Sequence, residues 1–211
     1  MAFNKIDIEN SFKSLQIDGF KFKKEVMGFS WTKKNNSITE RIVIGYGGYP
    51  DSYKIYSPVA EIYFDQVENI LENFKKTHFP DKNFGNGTIQ KSFVRLQNID
   101  YSKFEIEIKD ENSFNVVAQQ IKQIIEIGAL PFFKKLNDLM TVFEITETME
   151  IEEMADFIVQ PLPQRRMVIK KLCNDSNYQE YVDWLIEYYK SENDEEWIEL
   201  EQLDVFLKKM E

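Results

Sequence analysis

The sequence predicts an α+β fold, with an antiparallel sheet and packed helices in the N-terminal half and a helical C-terminal half. Apolar and polar residues alternate along several short segments between residues 20 and 109, which is typical of half-buried strands. Beyond Gly128 apolar residues recur every three or four positions, which indicates amphipathic helices. We therefore expect a sheet region over residues 1–128 and a helical region over 129–211, packed together as one continuous domain.

The first elements are predicted to be a short helix and a meander of strands. Ile8, Phe12 and Leu15 share one helical face, and Gly19 is placed to end the helix in a left-handed cap. Three segments with alternating side chains follow, GFKFKK, MGFSWTKK and ITERIVIGY. Their period predicts antiparallel strands.

The glycine-rich segment GYGGYPDSY, residues 45–53, predicts a wide hairpin. A phosphate-binding loop needs a helix directly after its glycines, whereas here the β-type segment KIYSPVAEIYF follows. Pro50 suits the second position of a turn, and Asp51 can bond to its own backbone. Because Pro58 has no N–H for a ladder, we expect the returning strand to lie at an edge or to be bulged.

Two helices are predicted to accompany the sheet. The first spans residues 65–78, with Asp65 as its N-cap and an apolar stripe at Val67, Ile70, Leu71 and Phe74. Two further strands are expected in TIQKSFVRL and KFEIEIK. The second helix begins with acidic residues at 110 and is expected to stop at Gly128.

The C-terminal half is predicted to contain five helices. Pro131 suits the first turn of a helix carrying Phe132, Leu136, Leu139, Met140 and Phe143. Shorter helices are expected in EIEEMADFI and LPQRRMVIKKLC. A capping box of Ser176 and Gln179 is expected to open the next helix. The last helix should bury Trp197, Leu200, Leu203, Leu207 and Met210.

Composition predicts a cytoplasmic protein without a membrane span. The single cysteine, Cys173, cannot form an internal disulfide, and no leader or long apolar run is present. One histidine, His78, and one cysteine are too few for the usual nitrogen and sulfur metal sites. We therefore expect no metal and no cofactor.

Charge is divided unevenly along the chain. Residues 1–99 carry 14 Lys and Arg against 11 Asp and Glu, a net +3, whereas residues 100–211 carry 12 against 25, a net −13. An acidic surface repels the phosphate backbone, so we expect no nucleic-acid partner. It would attract a basic protein, or it would serve only solubility.

Two groups of side chains are candidate binding residues. The aromatic residues are Tyr46, Tyr49 and Tyr53 near the hairpin, and Trp184 and Tyr188 on an acidic helix. They predict either a contact surface or internal packing. The acidic residues of the last helix, Glu195, Glu196 and Glu199, are expected either to attract a basic partner or to form a solvated face.

One pattern resembles a site of metal-dependent hydrolysis. FPDKN and EIK are similar to the Pro-Asp then Glu-x-Lys motif of a large nuclease superfamily. The resemblance implies that Asp81 and Glu107 would hold a divalent cation and that Lys109 would orient water. The pattern is permissive and the surface is acidic, so we favour the outer face of a strand instead.

The two ends of the chain resemble a group of bacterial α+β proteins. SLQIDGFKFKK with SWTKK, and RRMVIKKLCNDSNYQEYVDWLIEYY, carry the similarity. The resemblance implies that some relatives are immunity proteins of toxin systems. Our leading hypothesis is a non-enzymatic cytoplasmic protein-binding protein, in the specific case an immunity protein that binds a basic toxin through its acidic C-terminal half. The alternative is an enzyme or small-ligand binder with a site between sheet and helical half.

Overall fold

The computed structural model describes residues 5–48, 52–56, 58–82, 84–85, 87–93 and 106–210. It confirms the α+β class, an antiparallel sheet built from N-terminal strands and a helical C-terminal half. The chain forms two compact units, each made of two separate stretches. The first contains Met1–Ile62 and Gln90–Lys135, and the second contains Tyr63–Ile89 and Leu136–Glu211.

The first unit opens with a helix and a three-stranded meander, as the sequence predicts. Helix α1 (Lys5–Lys13) is followed by β1 (Lys21–Glu25), β2 (Gly28–Asn35) and β3 (Ile38–Gly48), each antiparallel to the next. The core here is aromatic: the Phe12 and Phe29 rings stack at 4.9 Å, and both residues are buried.

The predicted helix cap at Gly19 is wrong. Helix α1 ends at Lys13, six residues earlier in the chain. Gly19 instead has φ +76° in the turn before β1, where the Phe20 N–H donates to the Ile17 carbonyl at 3.0 Å. Glycine is suited to this position because its backbone enters the left-handed region without a steric penalty.

The glycine-rich segment forms the predicted hairpin. Strand β4 (Tyr53–Ile55) pairs antiparallel with the end of β3, and Gly48 lies opposite Tyr53. The tip at residues 49–51, with Tyr49, Pro50 and Asp51, lies outside the described residues. The next element that the structure describes after the glycines is β4 and not the helix that a phosphate-binding loop requires.

Of the two alternatives expected for the returning strand, the edge position is wrong, and the strand is interrupted at Pro58. Pro58 lies between β4 and β5 (Val59–Phe64), and β5 has two strand partners, β3 and β6 (Ile89–Ser92). The Pro58 carbonyl accepts a hydrogen bond from the Phe93 N–H at 3.2 Å. Pro58 thus separates two strands, and neither strand needs the backbone N–H that proline lacks for its hydrogen bonds. Strand β7 (Ile106–Ile108) pairs with β4.

The helical segment after β7 does not stop at Gly128. Helix α3 (Glu111–Ile124) continues through a π-helical turn (Ile125–Ala129) into α4 (Leu130–Lys135). A Cβ atom on Gly128 would lie 2.7 Å from Cδ1 of Phe93. The glycine therefore allows the Phe93 ring to approach the helix closely, and it is not a helix terminator.

Six helices of the second unit lie in the described residues. They are α2 (Asp65–His78), α5 (Leu139–Glu147), α6 (Ile151–Phe157), α7 (Leu162–Leu172), α8 (Tyr178–Ser191) and α9 (Glu196–Lys208). The predicted stripe of the last helix is buried at Leu200, Leu203 and Leu207, and Val182 and Leu185 of α8 are buried as well. Among the helices of the described residues, none is long and apolar enough to span a membrane.

Two predicted helix starts in this unit are wrong. Phe64 occupies the N-cap of α2, because β5 runs directly into the helix, and Asp65 is the first helical residue. Helix α8 begins at Tyr178 after Asn177, and no side chain caps it, so Ser176 and Gln179 form no capping box. Asp175 instead accepts a hydrogen bond from the Asn177 N–H at 3.0 Å.

The predicted helix from Pro131 to Phe143 is interrupted. Asp138 is the N-cap of α5 and accepts a hydrogen bond from the Thr141 N–H at 2.8 Å. A new helix therefore begins here, and it exposes a different side. Met140 is therefore 46% exposed instead of inward. Met210 also lies outside its predicted stripe and is 53% exposed, because α9 ends at Lys208.

Candidate functional site

The exposed side of α8 combines carboxylates with aromatic rings. Tyr178, Val182 and Leu185 bury the opposite side of this helix. The spacing of three and four residues then places a second set of side chains together at the surface. This set, which we call the acidic aromatic face, consists of Glu180, Asp183, Trp184, Glu187 and Tyr188.

The two aromatic residues of this face are stacked and exposed. The Trp184 and Tyr188 rings lie 6.0 Å apart, with 21° between their planes. Trp184 is 56% exposed and Tyr188 is 49% exposed. Large aromatic side chains with an apolar body and a polar atom are enriched in protein–protein contacts. The stack is thus a surface that could contact another molecule without rearrangement.

Tyr181 extends the same row of rings but is covered by cations of the protein itself. Its ring lies 6.1 Å from that of Trp184. The Arg166 guanidinium carbon is 4.8 Å from the Tyr181 centroid, and Lys170 Nζ is 5.1 Å from it. Burial raises the pKa of the Tyr181 phenol to about 12, although Arg166 acts in the opposite direction. Tyr181 is half-buried, and its ring already has cation partners within the unit.

Both cations over Tyr181 are held by acidic residues. Arg166 Nη2 lies 3.3 Å from Glu147 Oε1, and Lys170 Nζ lies 2.7 Å from the same oxygen. Lys170 is buried and also donates to Asp175 at 2.7 Å. Each positive charge near this ring is thus balanced inside the unit, as buried charges require.

Polar contacts fix α8 against α9. The Tyr178 hydroxyl donates to Asp204 at 3.0 Å, and burial raises the pKa of this phenol. Lys190 Nζ donates to Glu201 at 2.7 Å and lies 4.4 Å from the Trp197 ring centroid. These contacts hold α8 against α9 and so fix the position of the acidic aromatic face.

The acidic residues predicted on α9 differ in their surroundings. Glu195 is exposed, and Glu196 accepts a hydrogen bond from Gln164 Nε2 at 2.8 Å. Glu199 is 2% exposed and accepts from Gln164 at 2.8 Å and from Lys82. The solvated-face interpretation is wrong for Glu199, because this carboxylate is the buried acceptor for two internal donors.

An open cleft of about 500 Å³ adjoins these carboxylates. Phe79, Lys82, Ile198 and the residues 194–196 and 199 line it. Lys82 Nζ lies 5.1 Å from the Phe79 ring centroid and is paired with Glu199. Of the carboxylates that line the cleft, Glu199 therefore already binds a lysine of the protein itself.

The hairpin tyrosines mainly pack within the first unit. Tyr46 is 8% exposed, and its ring lies 5.1 Å from Phe29 and 6.0 Å from Tyr53. Tyr53 is half-buried. These distances correspond to the packing alternative that the sequence left open. Tyr49 lies outside the described residues.

Two residues of the nuclease-like pattern form an ion pair. Lys109 Nζ lies 2.9 Å from Glu107 Oε2, and the hydrogen bond from Lys109 lowers the pKa of Glu107. Asp81 belongs to the other unit. Within the ranges that the structure describes, no group of three or more His, Cys, Asp or Glu side chains is placed to hold a metal ion.

Sequence reasoning missed a buried arginine that connects three parts of the second unit. Arg165 is 0% exposed; its Nε and Nη2 lie 3.1 and 2.8 Å from the two carboxylate oxygens of Glu68. It also donates to the carbonyls of Val159, Gln160 and Gly85. In the sequence it is one of four basic residues in LPQRRMVIKKLC, and nothing local distinguishes it from a solvated one.

Comparison with known proteins does not add to this description. No protein-family model, curated protein or solved structure matches the chain.

Proposed function

We propose that this chain is a non-enzymatic, cytoplasmic protein-binding protein that holds a basic protein partner on the acidic aromatic face of α8. In the more specific form of this proposal, the partner is a toxin and the chain is its immunity protein. The observation that carries the proposal is the exposed Trp184–Tyr188 stack on a helix that also exposes three carboxylates.

The composition of this face suits recognition of a basic surface. Carboxylates raise the rate of encounter with positive charge, while aromatic anchors that become buried in a complex slow its dissociation. The C-terminal half, residues 100–211, has a net charge of −13, so the field around the face extends beyond its own three acidic side chains.

Co-expression with the basic proteins encoded beside this chain would test the proposal. The variant Trp184→Ala/Tyr188→Ala should lose capture of its partner at moderate salt, whereas the wild type retains it. Tyr56→Ala is the matched control, because Tyr56 is 43% exposed and lies in the other unit. Equal capture by the wild type and the double variant would refute a role for this face.

A further inference from the structure

We infer that the acidic aromatic face binds arginine side chains of its partner in preference to lysine. This inference rests on the proposed function and specifies which chemical group the face recognises. Tyr181, Trp184 and Tyr188 form a row of neighbouring rings. The inference is based on the cations of the protein that lie over the first of these rings, Tyr181.

Tyr181 provides an internal example of the binding geometry. The guanidinium of Arg166 lies over its ring at 4.8 Å, and Glu147 is 3.3 Å from the same guanidinium. A planar cation on a ring face with a carboxylate beside it is the arrangement that combines cation–π attraction with a charge-assisted hydrogen bond. The protein therefore already pairs a ring of this row with an arginine.

The next two rings of the row, Trp184 and Tyr188, have carboxylates on their own helix. Glu180 lies four residues before Trp184 and Glu187 three residues after it, which are neighbour positions on a helix, and Asp183 is exposed on the same helix. Within the described parts of the chain, no lysine or arginine lies over either ring, although cations do lie over Tyr181 and Trp197. A cation from another molecule would complete the pattern.

Arginine fits this surface better than lysine for two reasons. Its flat guanidinium can stack on an indole while its N–H groups reach a carboxylate at the edge of the ring. The lysine ammonium is a compact and strongly hydrated charge, so it gains less from an exposed aromatic face. Tryptophan is also the ring that attracts cations most strongly. The preference should therefore depend mainly on Trp184.

Two labelled peptides of equal charge would test the preference. One alternates arginine with serine, and the other has lysine in place of every arginine; fluorescence anisotropy gives the dissociation constant of each. We expect the arginine peptide to bind about five- to tenfold more tightly, which corresponds to roughly 1 kcal/mol. Trp184→Ala should remove the preference, Trp184→Phe should retain part of it, and Tyr56→Ala should leave it unchanged.

The outcomes separate this inference from the proposed function. If both peptides bound with equal affinity, the arginine preference would be overturned. If the triple variant Glu180→Gln/Asp183→Asn/Glu187→Gln then weakened both peptides alike, the proposal of a basic partner would still hold. If neither peptide bound at low salt, both proposals would fail. Sedimentation would also show whether the wild type self-associates. If it does, and if Trp184→Ala abolishes the self-association, the face binds a second copy of the chain and the inference is overturned.

Discussion

Arg165 and Glu68 lie 97 positions apart in the chain, and their side chains form a two-bond ion pair inside the second unit. Glu68 Oε1 also accepts a hydrogen bond from the Thr88 hydroxyl at 2.8 Å. The pair thus connects α2, the start of β6 and α7, three segments that are distant in sequence. Because Arg165 is fully buried, its charge must be balanced where it lies.

Replacement of Arg165 by Met should strongly destabilise the protein. The change leaves the Glu68 carboxylate with only the Thr88 hydroxyl as donor among the described residues and removes the Arg165 hydrogen bond to the Val159 carbonyl. Removal of one member of a buried pair typically costs about 3–5 kcal/mol. Urea unfolding followed by circular dichroism would measure the loss. The double variant Arg165→Met/Glu68→Gln should recover part of the lost stability. If Arg165→Met alone lowered the free energy of unfolding by less than about 1 kcal/mol, the ion pair would not be important for the fold.

Replacement of Gly128 by Ala should disturb the contact with Phe93. The new Cβ would lie 2.7 Å from a ring carbon, so the ring must move, at an overpacking cost of about 1–3 kcal/mol. Gly48→Ala is the matched control, because its nearest contact would be an ordinary 3.5 Å to Tyr53. If both variants unfold at the same urea concentration, the close-approach explanation is wrong.

The N-cap at Asp138 should make stability depend on pH in a defined direction. Hydrogen bonds from the Thr141 hydroxyl and N–H lower the pKa of this carboxyl from its usual 3.8. A pKa that is lower in the folded state means that the ionised cap stabilises the protein above pH 3.8, and that this contribution disappears as the pH falls through the folded value.

Asp138→Ala should therefore lower the free energy of unfolding by about 1 kcal/mol near neutral pH. The difference from the wild type should shrink as the pH falls below 3.8 and through the lower folded pKa of Asp138, because the wild-type carboxyl then becomes protonated. Asp138→Asn, which can still accept the cap hydrogen bond, should lose less. A difference that grows on acidification would contradict the assigned sign.

Cys173 should be unreactive in the folded protein. Burial raises the pKa of its thiol to about 11, so little of the nucleophilic thiolate is present at neutral pH. Modification by iodoacetamide, followed by mass spectrometry, should be slow in buffer and rapid in denaturing urea. Rapid modification of the native protein would show that the site opens readily.

The sequence was sufficient for features with a local cause. Strand and helix periods predicted the meander, α3 and most buried stripes, and the turn residues of GYGGYPDSY predicted the hairpin, in which Gly48 lies opposite Tyr53. It also named Trp184 and Tyr188, because a helix stripe that buries Val182 and Leu185 leaves these two on the other side.

Features that depend on contacts between distant segments were not predictable in this way. Gly128 resembles a helix terminator until Phe93 is seen against it, and Glu199 resembles a surface acid until Lys82 and Gln164 are placed beside it. Arg165 was missed for the same reason. In each case a tertiary neighbour, which no local pattern encodes, determines the role of the residue.

The rate of association with the basic partner tests the central claim most directly. We would measure it by stopped flow at two salt concentrations for the wild type and for Glu180→Gln/Asp183→Asn/Glu187→Gln. The matched control neutralises Glu150, Glu152 and Glu153, which are equally exposed on or next to α6. The account predicts several-fold slower association and a weaker salt dependence for the α8 variant only. Equal rates and equal salt dependence for all three proteins would contradict it.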